Sequence, residues 1–483
     1  MNRSRSARTT IVLVALSLLC GWLALRPEES GAAVETASRP LWTLDRLPAV
    51  LAEAQGTVDL GRTVDQLLAS SLAAPAAPVG GTPPVPRAGA RSCVAVYEGE
   101  RPVLLRRPDD PLTPASTQKI LVATAALAVL GPDFRFETKV VSDSAPRDGA
   151  VGTLWLVGAG DPTLATPEYA QWLKDRPRYQ LRQATPLAEL ADGLAAAGVR
   201  AVTGNIVGDD SRYDRARTVP TWKPSYVAEN EVGPLGALLV NDGFTVFEPP
   251  EHRADDPAVH AASELTRLAQ AIGISVGSPA SSGVAPAADG RVAPTAPGTV
   301  TLATVRSAPL SDIVAGMLRE SDNTAAELLT RELGVARAHD GSTAAGTKVI
   351  VDALAGAGLP TTGLRLGDGS GLEATNRAGC GVLAAALRRP DRSGAPALSP
   401  LLAVAGRSGT LALRLADTPL DGKLRAKTGS LDGVSGLAGY VEGRRALSFA
   451  FLANGSLTDA AGRLLQDRLV AVLAAYPGPQ PRL

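Results

Sequence analysis

Polar and apolar positions along this chain fall into three textures. Residues 93–97 and 101–105 are short apolar runs on either side of Glu98-Gly99-Glu100, and they predict a β-hairpin. Just downstream, the polar group Ser116-Thr117-Gln118-Lys119 opens a long apolar run, 120–128, which predicts a buried helix ending near Leu130. The second texture covers 136–303. It holds strand-like runs at 151–157 and 201–207, broken by Gly and Asp, helical spacing at 186–197 and 257–272, and a Ser/Ala/Pro/Gly stretch at 279–298 that reads as a surface loop. Helical periodicity then returns over 310–333, interrupted at Glu320-Ser321-Asp322-Asn323. Strands at 425–430, 436–441 and 446–454 follow, and a helix over 459–476 closes the pattern.

These textures divide the chain. Residues 90–135 and 304–476 form one discontinuous domain, and 136–303 form one or two domains of mixed α and β inserted into it. A short helix at 64–72 and an Ala/Pro/Gly-rich linker at 74–89 belong to a lead-in, 34–89, and 477–483 is a short, non-amphipathic tail. At the N-terminus, Arg3, Arg5 and Arg8 precede an apolar run over 10–25, then Arg26-Pro27-Glu28-Glu29 and the small residues 30–33. That is the layout of an export signal cut near Ala33, or else of a single uncleaved anchor, the run being short of the ~20 residues a membrane span needs. Cys20 follows the bulky Leu19, which does not suit a lipoprotein signal. Either way the working part of the chain belongs outside the cytoplasm, in the cell envelope or beyond, and membrane contact is confined to that segment. In an oxidising compartment Cys93 and Cys380 can pair, or remain two buried thiols.

Composition narrows the chemistry. The formal net charge is +0, so no basic excess points to nucleic acid or an anionic membrane. With 45% apolar and 20% charged residues the chain is globular. None of the three His residues lies in a recognisable motif, and no Cys spacing suits a thiolate-bound metal. Lysine is scarce: there are seven, against forty-one Arg, which raises the interest of Lys119 and Lys427. Ser116 and Lys119 are three residues apart at a helix start, so one turn brings them onto a common face. A hydroxyl becomes a useful nucleophile only when a nearby base takes its proton, and a lysine can do so when burial lowers its pKa.

Two further motifs follow in order, Ser321-Asp322-Asn323 in the break between helices and Lys427-Thr428-Gly429 at a strand start. Singly, each reads as a surface pair, a helix cap or three common residues. In this order and context the set is that of the penicillin-recognising serine acyltransferases. More narrowly, the chain resembles the penicillin-binding protein 4 type of D-alanyl-D-alanine carboxypeptidase/endopeptidase, because 205 residues separate Ser116 from Ser321 and that family fills the gap with an inserted domain. Companion stretches also match, among them Gly160-Asp161-Pro162-Thr163-Leu164, Val240-Asn241-Asp242-Gly243, Asp368-Gly369-Ser370-Gly371-Leu372 and Ser408-Gly409-Thr410-Leu411.

The resemblance implies an α+β fold: a β-lactamase/transpeptidase-like domain with a five-stranded antiparallel sheet flanked by helices, interrupted by a β-rich insertion. It implies Ser116 as nucleophile, Lys119 as its base, neutral at rest with help from the charge of Lys427, and Ser321 as proton relay to the leaving amine, within reach of Ser116 and Lys119. Asn323 would orient the substrate amide, and Lys427 and Thr428 would hold its carboxylate. Gly429 would let substrate lie against the strand edge, and the N–H groups of Ser116 and Ser430 would form an oxyanion hole. Asp161 either faces the amino end of a diaminopimelate side chain or serves as a turn residue before Pro162. The implied partners are peptidoglycan peptides ending in D-Ala-D-Ala and β-lactam inhibitors, with no metal and no cofactor. A β-lactamase and a non-catalytic wall-binding protein are the alternatives. Glu327 and Glu332, the carboxylates that follow Ser321-Asp322-Asn323, occupy helical positions unsuited to driving fast deacylation.

Overall fold

Strands with apolar residues on both faces build the central sheet. It is antiparallel, in the order Leu424–Leu431, Val434–Glu442, Ala446–Asn454, Arg91–Glu98, Arg101–Arg106. A two-residue strand, Ala403–Val404, adds a sixth member by pairing with Arg425 and Ala426 at the outer edge; it is too short to leave a period-two pattern in the sequence. The computed structural model describes residues 47–72, 91–286, 299–390 and 397–480. The export segment 1–33, the linker and parts of the 279–298 loop and the tail lie outside the described residues.

Period-two alternation gives each face of this sheet its own helical layer. Ala95, Ala450 and Leu452 pack with Ile120, Leu121, Val314 and Leu329 from the helices Lys119–Val129, Leu310–Glu320 and Asn323–Ala338. Val94, Val96, Phe449 and Phe451 pack on the other side with Leu465, Leu469 and Leu473 of the helix Asp459–Ala475. The same cluster takes in Leu60, Val64 and Leu67 from a helix that runs Leu47–Leu72, well beyond the short one expected at 64–72. Cys93 and Cys380 are joined as a disulfide with Cα atoms 5.8 Å apart, tying the strand Arg91–Glu98 to the helix Cys380–Arg388.

Between the helices Lys119–Val129 and Leu310–Glu320 the chain builds separate sheets. A five-stranded one runs Ser281–Ser282, Ile206–Asp209, Leu154–Val157, Glu137–Ser142, Val300–Arg306. A three-stranded parallel one runs Ser275–Val276, Ala201–Val202, Ala150–Val151. Each run expected as one strand, 151–157 and 201–207, is thus split between two sheets, at Gly152-Thr153 and Thr203-Gly204-Asn205. The helices Ala188–Ala196 and Pro257–Ala271 cover these strands through Leu190, Leu194, Leu265 and Leu268. The boundary expected at 303 falls inside the strand Val300–Arg306, which pairs with Glu137–Ser142. The two chain crossings are instead pinned at Ser307, whose N–H donates to the Phe136 carbonyl and whose hydroxyl oxygen accepts from the Phe136 N–H, both at 3.0 Å.

Candidate active site

Ser116 sits in a 3-10 turn, Ala115–Gln118, that leads directly into the helix Lys119–Val129. In such a turn positions three apart eclipse one another, so the Lys119 Nζ stands 3.0 Å from the Ser116 Oγ. The turn is entered sharply: Ala115 is held at φ +47°, an uncommon region for a residue with a Cβ. Lys119 is fully buried while Ser116 is half-buried and lines an open cavity of about 510 Å³. Burial lowers the Lys119 pKa to about 8, against the opposing pull of Asp368, Glu327, Asp322 and Glu231.

The second motif is built by a helix break. Ser321 ends the helix Leu310–Glu320 in the left-handed region at φ +64°, and Asp322 caps the next helix by accepting from the Ala325 N–H at 2.9 Å. The break delivers Asn323 to Lys119: Oδ1 accepts from Nζ at 2.6 Å while Nδ2 donates to the Glu231 carbonyl at 2.7 Å. A third Lys119 contact, 2.6 Å to the Ser370 carbonyl, comes from the loop 368–371. Ser321 lines the same cavity as Ser116, but its hydroxyl makes no hydrogen bond to Ser116 or Lys119 among the described residues. The three contacts of Lys119 Nζ go instead to Ser116, Asn323 and the Ser370 carbonyl.

The third motif forms the opposite wall. Lys427 is fully buried, donating 2.8 Å to the Thr428 carbonyl. Burial, then Lys119 and Arg178, push its pKa well below the ordinary value. The expected influence of Lys427 on Lys119 is thus not what sets the latter, which responds to burial and to carboxylates. Thr428 Oγ1 donates to Thr410 Oγ1 at 3.2 Å. Because the Leu424 carbonyl accepts from Ala405 across the outer edge, the period of two turns the N–H groups of Thr428 and Ser430 to that edge as well. The short strand Ala403–Val404 stops opposite Ala426, leaving this part of the edge open. Gly429 has a different purpose from the one expected. A Cβ there would stand 2.9 Å from the Pro114 carbonyl and 3.0 Å from the Thr117 nitrogen, so the glycine lets the strand press against the Ser116 turn and faces away from the cleft.

The D-Ala-D-Ala carboxypeptidase 3 (S13) family model matches residues 83–285 and 251–476 of this chain. The chain belongs to this family. It is 34% identical over 385 residues to a carboxypeptidase of Mycobacterium tuberculosis, covering 77% of each chain. To a D-alanyl-D-alanine carboxypeptidase of an Actinomadura species it is 31% identical over 449 residues, covering 77% of this chain and 78% of the other. The crystal structure of penicillin binding protein 4 from Haemophilus influenzae shares the fold at 20% identity, with a TM-score of 0.64 over 84% of this chain and 99% of that one. A second structure of that protein is complexed with a β-lactam and superposes with a TM-score of 0.59.

In this S13 carboxypeptidase Asp161 does not line the Ser116 cavity. Its Oδ1 accepts from the Thr163 N–H at 2.8 Å and hydroxyl at 2.6 Å, the turn arrangement, and burial raises its pKa. Other residues do line the cavity without any local pattern to mark them in the sequence: Arg178, Tyr226, Glu229 and Glu231, all from the segment between Ser116 and Ser321. Arg178 is held by donating 3.0 Å to the Glu320 carbonyl. Beside it, the buried Arg182 pairs with Asp322 at 2.7 Å. Among the described residues no group of three His, Cys, Asp or Glu side chains is placed to hold a metal ion, and no helix is long and apolar enough to cross a membrane.

Proposed function

We propose that this S13 carboxypeptidase removes the terminal D-alanine from peptidoglycan stem peptides through an acyl-enzyme on Ser116. One observation carries the assignment. Asn323 Oδ1 and the Ser370 carbonyl can only accept, so an unprotonated Lys119 must spend both its N–H bonds on them, which leaves its lone pair to the Ser116 hydroxyl. Ser116 then loses its proton to Lys119 as its Oγ bonds to the carbonyl carbon. The developing oxyanion is met by the Ser116 and Ser430 N–H groups. Lys119 returns the proton to the departing D-alanine amine, with Ser321 close by in the cavity as the relay, and water releases the acyl group. Lys427 has no carboxylate among the groups that act on it, so the free carboxylate of the substrate supplies the missing counter-charge, alongside the Thr428 hydroxyl.

A β-lactam presents the same carboxylate and a strained acyl donor, so it acylates Ser116 and stays. Neither carboxylate that follows Ser321-Asp322-Asn323 offers a β-lactamase reading a base for deacylation. Glu327 Oε1 is occupied by the Gly369 and Ser370 N–H groups, and Glu332 pairs with Arg212. The reading takes 90–135 with 304–476 as the catalytic domain, with the strand pair that ends at Arg306 assigned to the insertion. It places the protein in the cell envelope, to which the Cys93–Cys380 disulfide lends support. The test is to treat the purified protein with fluorescent penicillin and, separately, with an acyl-D-Ala-D-Ala peptide. Stable labelling and D-alanine release are expected, both lost in Ser116→Ala. Labelling that persists in that variant sinks the assignment, and rapid loss of label without D-alanine release would move it to a β-lactamase.

A further inference from the structure

The contact between Lys119 and the Ser370 carbonyl joins the base to a residue outside the three motifs. The Ser370 carbonyl shares its peptide unit with the Gly371 N–H, and that N–H donates 3.0 Å to Asp368 Oδ1. The peptide therefore lies between a carboxylate and an amine, with its dipole aligned to both. Asp368 is fully buried, and its two oxygens collect further donors: Asn376 Nδ2 at 2.7 Å, Gln118 Nε2 at 3.2 Å, Trp222 Nε1 at 2.9 Å, the Glu373 N–H at 2.7 Å and the Ser370 hydroxyl at 3.1 Å. A turn residue needs one or two such contacts. Six converge here on one carboxylate, drawn from three separate parts of the chain: Gln118, Trp222 and the segment 370–376.

A second carboxylate braces the same loop. Glu327, one turn beyond Asn323 on its helix, accepts from the Gly369 and Ser370 N–H groups at 2.9 and 2.6 Å through Oε1, and its Oε2 is buried with no partner. Gly371, at φ +88°, closes the loop directly against the Ala115 carbonyl, where any side chain would collide. The loop 368–371 is thus clamped between two buried carboxyl groups on one side and the Ser116–Lys119 turn on the other.

We propose that Asp368 is a positioning residue for Lys119, orienting the amine through the Ser370–Gly371 peptide unit, with Glu327 holding the same loop in register. The arrangement gives the lysine what an aspartate gives the histidine of a Ser-His-Asp triad: a fixed direction for the lone pair and a nearby negative charge when the proton arrives. The charged groups that pull on Lys119 against burial are Asp368, Glu327, Asp322 and Glu231; Glu327 in turn feels Asp368 and Arg331 and is pushed up to about 7, chiefly by burial.

This inference rests on Ser116 and Lys119 being nucleophile and base, and its test separates the two. The second-order rate of Ser116 acylation by fluorescent penicillin is followed between about pH 5.5 and 9.5 in the wild type, Asp368→Asn and Glu327→Gln, with cooperative thermal melting as the check of folding. In the wild type the rate climbs through a limb near the Lys119 pKa of about 8. Asp368→Asn lowers the plateau about tenfold or more and moves the limb about one unit towards acid, since a neighbouring anion has been removed. Glu327→Gln keeps the Oε1 acceptor and moves the limb in the same direction by less. A loop that serves structure alone would lower the rate at every pH and leave the limb in place. An unmoved limb in Glu327→Gln, and in Asp368→Asn if that variant folds, overturns the inference; a wild type that takes no label overturns the functional reading beneath it.

Discussion

Two fully buried lysines stand behind opposite walls of the Ser116 cleft, in surroundings of different kinds. On the helical wall, Lys119 meets three acceptors and four carboxylates, and the contest between burial and those charges leaves it at about 8. On the strand wall, Lys427 meets one backbone carbonyl and no carboxylate, and burial with the repulsion of Lys119 and Arg178 holds it well below the ordinary lysine value. A general base works best when its pKa lies near the operating pH. An anion-binding lysine can be left incomplete, because the anion completes it. In the proposed mechanism a substrate carboxylate that arrives at Lys427 favours the charged form there, and the resulting positive charge disfavours a proton on Lys119. On this account substrate binding makes the base ready.

The largest effect that would break the comparison is on the helical wall. Lys119→Met should reduce D-alanine release by about 10²- to 10⁴-fold, as for loss of a general base, with melting temperature retained; residual activity near wild type would remove Lys119 from the chemistry. Where the walls touch, Gly429→Ala inserts a methyl 2.9 Å from the Pro114 carbonyl and must push strand and turn apart. Misplacement on that scale costs on the order of 10²-fold in kcat. On the strand wall, Lys427→Met should raise KM for acyl-D-Ala-D-Ala by about 10- to 100-fold, the worth of one hydrogen bond to a charged group, and should spare substrates whose carboxylate is amidated. An equal loss for both substrates would show that Lys427 does not read the carboxylate.

The smallest effect is the sharpest. With Lys119 at about 8 in the free enzyme, kcat/KM should rise roughly fivefold from pH 7 to pH 8 as the amine loses its proton. The limb in kcat, which reports the complex, should lie at lower pH than the limb in kcat/KM. Limbs that coincide would mean that carboxylate binding at Lys427 does not reach Lys119.

The legible part of this site is what a local pattern can hold. Ser116 and Lys119 share one turn, and Ser321 and Asn323 share one helix break, so spacing alone brings each pair together. The Ser370 carbonyl is main chain and has no side-chain signature at all. The donors to Asp368 reach it across 250 residues from Gln118 and 146 from Trp222, distances at which periodicity carries no signal. The fold shows the same limit. The helix Leu47–Leu72 contains Gly56, and glycine inside a helix weakens it by propensity. The structure explains the residue by proximity, since a Cβ at Gly56 would run into the backbone of Pro477. Likewise the glycines of 151–157 and 201–207 read as weak points in single strands, whereas they mark where the chain passes from one sheet to another.

The disulfide between Cys93 and Cys380 spans 287 residues, and both crossings into the inserted segment fall within that span. Every peptide bond from Val94 to Gly379 is therefore part of one covalent ring. A protease that cuts once anywhere in it, including the surface loops of the insertion, opens the ring without releasing a fragment. Such a nicked enzyme migrates as one chain until it is reduced and keeps Ser116, Ser321 and Lys427 in a single molecule. The cross-link thus supplies tolerance to a first proteolytic cut.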